Sequence, residues 1–119
     1  MQVANISLST QDIASNRRFY VDFLGLQLKG DDSKMLMFEG NLVIDAAHGN
    51  PTTTGTHIML LDDDLEVVAG RAANFGFQCS KNPWGNLSMR DPDGRMVEVM
   101  RLQDWNAIER TRAHQEPTI

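Results

Sequence analysis

The feature that most constrains the fold of this chain is an internal repeat, in which segments of the first half recur in the second half. Three pairs of segments match in the same order: 5–13 with 57–65, 23–27 with 75–78, and 40–45 with 94–98. In the first pair the offset is a constant 52 residues. Three matches in one order indicate a duplication, so we expect one folding unit to be built twice.

Each half has the pattern of a strand, a helix and three further strands. Apolar and polar residues alternate at the start of each half, as in a half-buried strand. Asp12 and Asp64 are suited to cap the following helices, and Gly25 and Gly76 to end them in the left-handed conformation. The pattern predicts two modules, residues 1–47 and 56–103, joined by a linker at 48–55 and followed by a helix and tail at 104–119.

A tight turn is predicted at Asp91-Pro92-Asp93-Gly94, because proline presets one φ angle and glycine accepts a positive one. It joins a strand near Leu87–Arg90 to a last strand over Met96–Leu102. From strand alternation, apolar residues should pack under the helices: Ile6, Leu8, Ile58, Leu60, Val97 and Val99. The opposite face should then carry Asn5, Ser7, Asp45, His57, Met59, Met96, Glu98 and Met100.

Composition limits the classes of partner. A length of 119 residues suits a single domain, and 41% hydrophobic with 23% charged residues is typical of a globular protein. The net charge of −5, without a basic run, argues against nucleic acid as a partner. No apolar stretch is long enough to span a membrane, and no leader pattern is present at the N-terminus. The lone Cys79 suits a reducing compartment, so we expect a cytoplasmic protein.

A family resemblance rests on Phe19-Tyr20-x-x-Phe23-Leu24-Gly25-Leu26, on Trp84-Gly85, and on the 91–94 turn followed by Glu98. Over residues 2–102 the chain resembles the vicinal oxygen chelate superfamily, which includes glyoxalase I, extradiol dioxygenases, fosfomycin-resistance enzymes and bleomycin-binding proteins. The resemblance implies one α+β glyoxalase-like domain over 1–119. Its two βαβββ modules would form a curved mixed-sheet cleft, with helices on the convex side. It also implies a homodimer with shared clefts.

Metal enzymes of this superfamily place their ligands on the first and last strands of the modules, where Asn5, Asp45, His57 and Glu98 fall. Glyoxalase I-like enzymes carry His at the first of these positions and Glu at the second, so His57 and Glu98 are the retained pair. A set rich in oxygen donors suits Mg²⁺ or Mn²⁺ better than Zn²⁺, with Ni²⁺ also open. A two-His iron site of the extradiol kind is not expected.

Two functions follow from the resemblance. The first is a divalent-metal-assisted lyase or isomerase for a small substrate with vicinal oxygens. In it Asp45 and Glu98 would be catalytic, Asp45 as general base, and Asn5 a weak ligand.

The alternative is a metal-free protein that binds and sequesters an antibiotic or a similar aromatic or cationic ligand. In either function, contacts to the ligand are predicted for Asn5, Ser7, Met59, Trp84, Met96 and Met100. A regulatory or immunity module acting through protein contacts ranks third.

Overall fold

The computed structural model describes residues 1–46 and 55–115, and it consists of two four-stranded sheets with the same internal order. In each sheet the four strands lie side by side in the order first, fourth, third and second, counted along the chain within that module. In each sheet the first and last strands of a module pair in parallel, and the remaining pairs are antiparallel. The predicted α+β class and the predicted pair of βαβββ modules are confirmed.

The first module contains four strands and a helix that widens into a π-helical segment in its second half. Its elements are β1 (Ile6–Thr10), α1 (Ile13–Arg17), the π segment (Arg18–Phe23), β2 (Leu28–Asp32), β3 (Met35–Phe38) and β4 (Leu42–Ala46). The second module has the same order and is followed by a third helix. Its elements are β5 (His57–Asp62), α2 (Leu65–Phe75), β6 (Cys79–Lys81), β7 (Leu87–Arg90), β8 (Met96–Arg101) and α3 (Leu102–Gln115).

Compact packing divides the chain into two units that almost coincide with the modules. The first unit comprises Met1–Gly55 and Asp91–Arg95, and the second comprises Thr56–Arg90 and Met96–Ile119. The predicted linker, apart from Gly55, and the last four residues of the predicted tail lie outside the described residues. No helix in the described part of the chain is long and apolar enough to cross a membrane.

Both predicted helix caps are present. The carboxylate of Asp12 accepts the backbone N–H of Ser15, and that of Asp64 accepts the N–H groups of Glu66 and Val67. After α2, Gly76 has a φ of 77°. The next residue donates its N–H to Ala72 O, which satisfies carbonyls that a helix end leaves unpaired. The sequence therefore encodes where these helices begin, and where α2 ends, through local chemistry.

The core of the first unit is aromatic. Phe19, Tyr20 and Phe23 are fully buried, and the rings of Phe19 and Tyr20 meet edge to face with centroids 4.9 Å apart. Burial of such rings is the largest favourable contribution a side chain makes to folding. In the second unit α2 packs on β8, where Val97 and Val99 are buried as predicted.

The prediction that Ile6 packs under a helix is wrong, since 61% of this residue is exposed. Two features account for the difference. Ile6 begins β1, which lies at the edge of its sheet and, among the described residues, pairs with β4 alone. Helix α1 contacts β3 and β4, so it covers the middle of the sheet.

The predicted turn after β7 is present, and it also carries a buried polar network. Its Gly94 has a φ of 88°. Asp91 Oδ2 accepts the hydroxyl of Tyr20 at 2.6 Å and the guanidinium of Arg95 at 2.7 Å, with the Asp91 and Arg95 side chains 0% and 2% exposed. Arg95 also donates to the carbonyl of Ser9 in β1. The turn is thus held inside the first unit by side chains that its tight-turn pattern does not reveal.

Candidate functional site

The structure brings together two of the predicted site residues, His57 and Glu98. They lie on the adjacent parallel strands β5 and β8, where His57 is in register with Met96 and Met59 with Glu98. Alternation along both strands therefore places the two side chains on one face of the sheet. His57 Nε2 lies 3.0 Å from Glu98 Oε1, with the imidazole half exposed and Glu98 only 8% exposed.

Two residues that the sequence analysis missed complete the surroundings of Glu98. Asn82 Nδ2 donates to Glu98 Oε2 at 2.8 Å, and Asn86 Nδ2 donates to the same oxygen at 2.7 Å. Both asparagines lie in the loop between β6 and β7. The sequence pattern that could have identified them is Asn-Pro-Trp-Gly-Asn, which is typical of a turn and has an amide side chain at each end. It comes directly before the strand that neighbours Glu98.

The loop itself is held by the side chain of Asn82. Its Oδ1 accepts the backbone N–H groups of Trp84 at 3.1 Å and Asn86 at 3.0 Å, and the backbone N–H of Asn82 donates to the carbonyl of Asn86 at 2.8 Å. Gly85 takes a φ of 84°, which closes the turn. As a result Trp84 lies at the tip of the loop with 82% of its surface exposed.

Glu98 is an anion at neutral pH in this setting. Its burial raises the pKa of the carboxyl group, but the hydrogen bonds from Asn86 and Asn82 and the neighbouring His57 lower it by more. The pKa of Glu98 therefore lies below its usual value. A buried carboxylate with several donors is a fixed negative charge that can hold a cation or accept a proton-bearing ligand.

Methionines surround this pair on the same face of the sheet. Met59 is in register with Glu98 and is 39% exposed, and Met96 and Met100 flank Glu98 along β8 and are half-buried. Ser88 of β7 lies across from Glu98 on the other side. An open depression of about 940 Å³ also borders Ser88, but it is lined mainly by α2, β6 and the residues between them, and neither His57 nor Glu98 lines it. The face thus combines a carboxylate and an imidazole with flexible apolar side chains, a combination common in small-molecule sites.

The other predicted site residues lie in the first unit. Ser7 Oγ donates to Asn5 Oδ1 at 3.4 Å, and both residues are exposed. Asp45 lies near the end of β4, in register with Ser9 of β1 and Met35 of β3, and is half-buried. The roles of Asn5, Ser7 and Asp45 remain predictions, as do those of Met59, Trp84, Met96 and Met100.

The donors present fit a divalent ion as a two-residue platform. His57 Nε2 and Glu98 Oε1 lie 3.0 Å apart at hydrogen-bond distance, and two ligands about 2.1 Å from one ion and at right angles would have about the same separation. Within residues 1–46 and 55–115, no three His, Cys, Asp or Glu side chains group together around a metal position. An open platform of this kind suits an ion that keeps waters and takes substrate oxygens, as Mg²⁺ does.

Comparison with solved structures identifies proteins that have the same fold as this chain. The chain matches a lactoylglutathione lyase from Agrobacterium tumefaciens (21% identity, 87% of this chain and 96% of that chain, TM-score 0.63). It also matches a possible glyoxalase from Bacillus cereus (17%, 84% and 98%, TM-score 0.68) and TnmS3, an antibiotic-binding protein from Streptomyces sp. CB03234 (19%, 85% and 95%, TM-score 0.65).

No protein-family model matches the sequence, and no curated protein does. At these identities the structural likeness establishes architecture, while function has to be argued from the site. The likeness to these structures confirms the predicted fold of two βαβββ modules, which this chain shares with the lyase, the possible glyoxalase and the antibiotic-binding protein.

Proposed function

We propose that this chain is a glyoxalase-like, divalent-metal-assisted lyase or isomerase that acts on a small substrate with vicinal oxygens. The observation that supports this function is the His57–Glu98 pair. Its donor atoms have the spacing of two ligands on one ion, and the acid is held in place by Asn82 and Asn86. A carboxylate fixed by amide hydrogen bonds is a preorganised ligand, which is what a catalytic ion site requires.

Each residue of the pair has a defined task. His57 Nε2 and Glu98 Oε1 would hold the ion, and Glu98 stays ionised at neutral pH because its pKa is lowered. The bound ion would supply Lewis-acid stabilisation of the negative charge that develops on a substrate oxygen. Asp45, near the end of β4, remains our proposed general base, and Asn5, directly before β1, remains our proposed weak ligand.

Metal content tests this function. We would measure it by plasma mass spectrometry on untagged protein, before and after loading with Mn²⁺, Mg²⁺, Ni²⁺ or Zn²⁺ and desalting. The parent protein should retain close to one ion per chain, and Glu98→Ala should lose it. Glu39→Ala, which removes an exposed acid of the first unit, should behave as the parent does. Absence of retained metal in the parent after loading would contradict the proposal.

A second function, metal-free binding of a planar aromatic or cationic ligand, is favoured by Trp84. An indole that is 82% exposed on a loop braced by Asn82 is an available stacking surface, and the methionines that flank Glu98 can adapt to a ligand's shape. The antibiotic-binding protein TnmS3 shares the fold. Fluorescence titration with cationic aromatic antibiotics should then show binding that Trp84→Ala abolishes and Trp105→Phe retains.

Three coarser expectations accompany either function. A homodimer with shared clefts is proposed from the family resemblance, and a single domain over 1–119 from the length and the repeat. A cytoplasmic location is proposed from the lone Cys79. Sedimentation velocity would test the first of these directly.

A further inference from the structure

The two oxygens of Glu98 have different surroundings. Oε2 accepts two hydrogen bonds, from Asn82 Nδ2 at 2.8 Å and from Asn86 Nδ2 at 2.7 Å. Oε1 faces His57 Nε2 at 3.0 Å. A carboxylate oxygen has two lone pairs, so two amide donors saturate Oε2. Only Oε1 keeps the capacity to bind something else.

The orientation of both amides is fixed by their neighbours. Asn82 Oδ1 accepts two backbone N–H groups of its own loop, so its nitrogen has to face Glu98. That nitrogen also donates to Ser88 Oγ at 3.3 Å, which uses its second hydrogen. Asn86 is 4% exposed, and turning its amide over would place its oxygen 2.7 Å from a carboxylate oxygen. Neither side chain can therefore reverse its amide and release Oε2.

We propose that Asn82 and Asn86 determine which ligands Glu98 can bind. Their hydrogen bonds occupy Glu98 Oε2, so that Oε1 is the one oxygen of this carboxylate to which a ligand can bind. The inference rests on the proposed function in one respect, since it takes Glu98 as the ligand-binding acid. Asn82 and Asn86 act through Glu98, and we assign neither of them a contact with the ligand.

A carboxylate restricted to one oxygen selects among ligands by their chemistry. Ca²⁺ commonly binds a carboxylate through both oxygens, and a guanidinium group pairs with both through its forked N–H groups. Small divalent ions such as Mg²⁺ and Mn²⁺ take a single oxygen at short distance. The arrangement around Glu98 thus favours a small ion, or a ligand with one N–H or O–H donor, over Ca²⁺ or a guanidinium compound.

Calorimetric titration with Mn²⁺ and with Ca²⁺ tests the selectivity. The test variant is the double substitution Asn82→Ser and Asn86→Ala, in which the serine retains a side-chain oxygen to accept the Trp84 N–H. Asn74→Ala, at an exposed position of α2, is the matched control. We expect the ratio of Mn²⁺ to Ca²⁺ affinity to fall about tenfold in the double variant and to stay unchanged in the control. An unchanged ratio in a double variant that still binds both ions would overturn the proposal.

Side-chain amide exchange measured by NMR decides the question without any ion. In the parent protein the Nδ2 hydrogens of Asn82 and Asn86 should exchange with solvent at least about tenfold more slowly than those of Asn74, and Glu98→Ala should remove the difference. The single variants Asn82→Ser and Asn86→Ala replace the double variant if it does not fold. Fast exchange at Asn86 in the parent protein would overturn the proposal that the two amides occupy Oε2. If none of the proteins binds an ion while the amides are protected, the metal function fails and the occupation of Oε2 by the amides stands.

Discussion

At the scale of single residues, Tyr20 reports on its surroundings, because it is the only tyrosine in the chain. It is fully buried, and its hydroxyl donates to the carboxylate of Asp91 at 2.6 Å. Burial raises the pKa of Tyr20 strongly, and the negative charge of Asp91 and the hydrogen bond to it raise it further. Ionisation of this phenol would place two negative charges side by side in the core.

Tyr20 should therefore remain protonated in the folded protein well above pH 10. Phenolate absorbance near 295 nm should be absent from the native protein at pH 11, whereas in urea it should appear with a midpoint of about 10. Since the raised pKa leaves only the unfolded chain ionised just above about pH 10, the contribution of Tyr20 to stability should be constant below that pH and decrease above it. Native titration with a midpoint near 10 would show that Tyr20 is not in the network described.

Glu98 allows a second prediction, on stability. Glu98→Ala removes the acceptor of two amides, one of them on Asn86, which is buried, and should cost about 1–3 kcal/mol. Glu98→Gln keeps a carbonyl oxygen for these donors and should cost less. Urea unfolding measures both, with Glu39→Ala as a surface control expected within about 0.5 kcal/mol of the parent. Equal stability of Glu98→Ala and the control would mean that the amide bonds contribute nothing.

At the scale of elements, the three consecutive acidic residues at the start of α2 have different structural roles. Asp64 caps the helix through two backbone N–H groups, Asp62 accepts the N–H of Asp64, and Asp63 is exposed. Asp64→Ala should therefore lower the free energy of unfolding by about 1 kcal/mol, while Asp63→Ala changes it by less than about 0.5 kcal/mol. Thermal or urea unfolding gives the comparison, and equal effects would contradict the cap assignment.

Local chemistry explains which elements could be predicted from the sequence. Helix caps, the glycine after α2 and the turn at 91–94 each depend on a few adjacent residues, so the residue types alone identify them. The widening of the first helix into a π segment over Arg18–Phe23 was not predicted, since no residue type marks it. Its carbonyls are satisfied beyond the helix, as in the bond from Leu26 N to Tyr20 O at 2.9 Å.

At the scale of the whole molecule, the repeat predicted two sheets of equal strand order, because duplicated patterns must bury equivalent faces. The site was only partly predictable. His57 and Glu98 followed from strand alternation, whereas Asn82 and Asn86 depend on how a loop folds back to a residue 16 and 12 positions away. Alternation also failed at Ile6, since it assigns a face of the strand and cannot tell whether a helix covers that end.

The chain passes from the second unit into the first and back again, so we expect the two units to unfold together. After Arg90 the chain leaves the second unit, contributes Asp91–Arg95 to the first, and returns at Met96. Release of this segment from the first unit frees the connection between β7 and β8. Tyr20 lies in the first unit, and both tryptophans, Trp84 and Trp105, lie in the second. Each unit thus carries its own optical probe.

Tyrosine absorbance and tryptophan fluorescence should accordingly give one coincident urea transition in the parent protein. Arg95→Met leaves the carboxylate of Asp91 buried without its cation and should cost about 3–5 kcal/mol. Because the turn then lacks the contacts of Arg95 within the first unit, the midpoint of the tyrosine transition should fall to a lower urea concentration than the midpoint of the tryptophan transition. Arg112→Met, an exposed matched change in α3, should leave both in place. Separate transitions in the parent would show that the shared segment does not couple the two units.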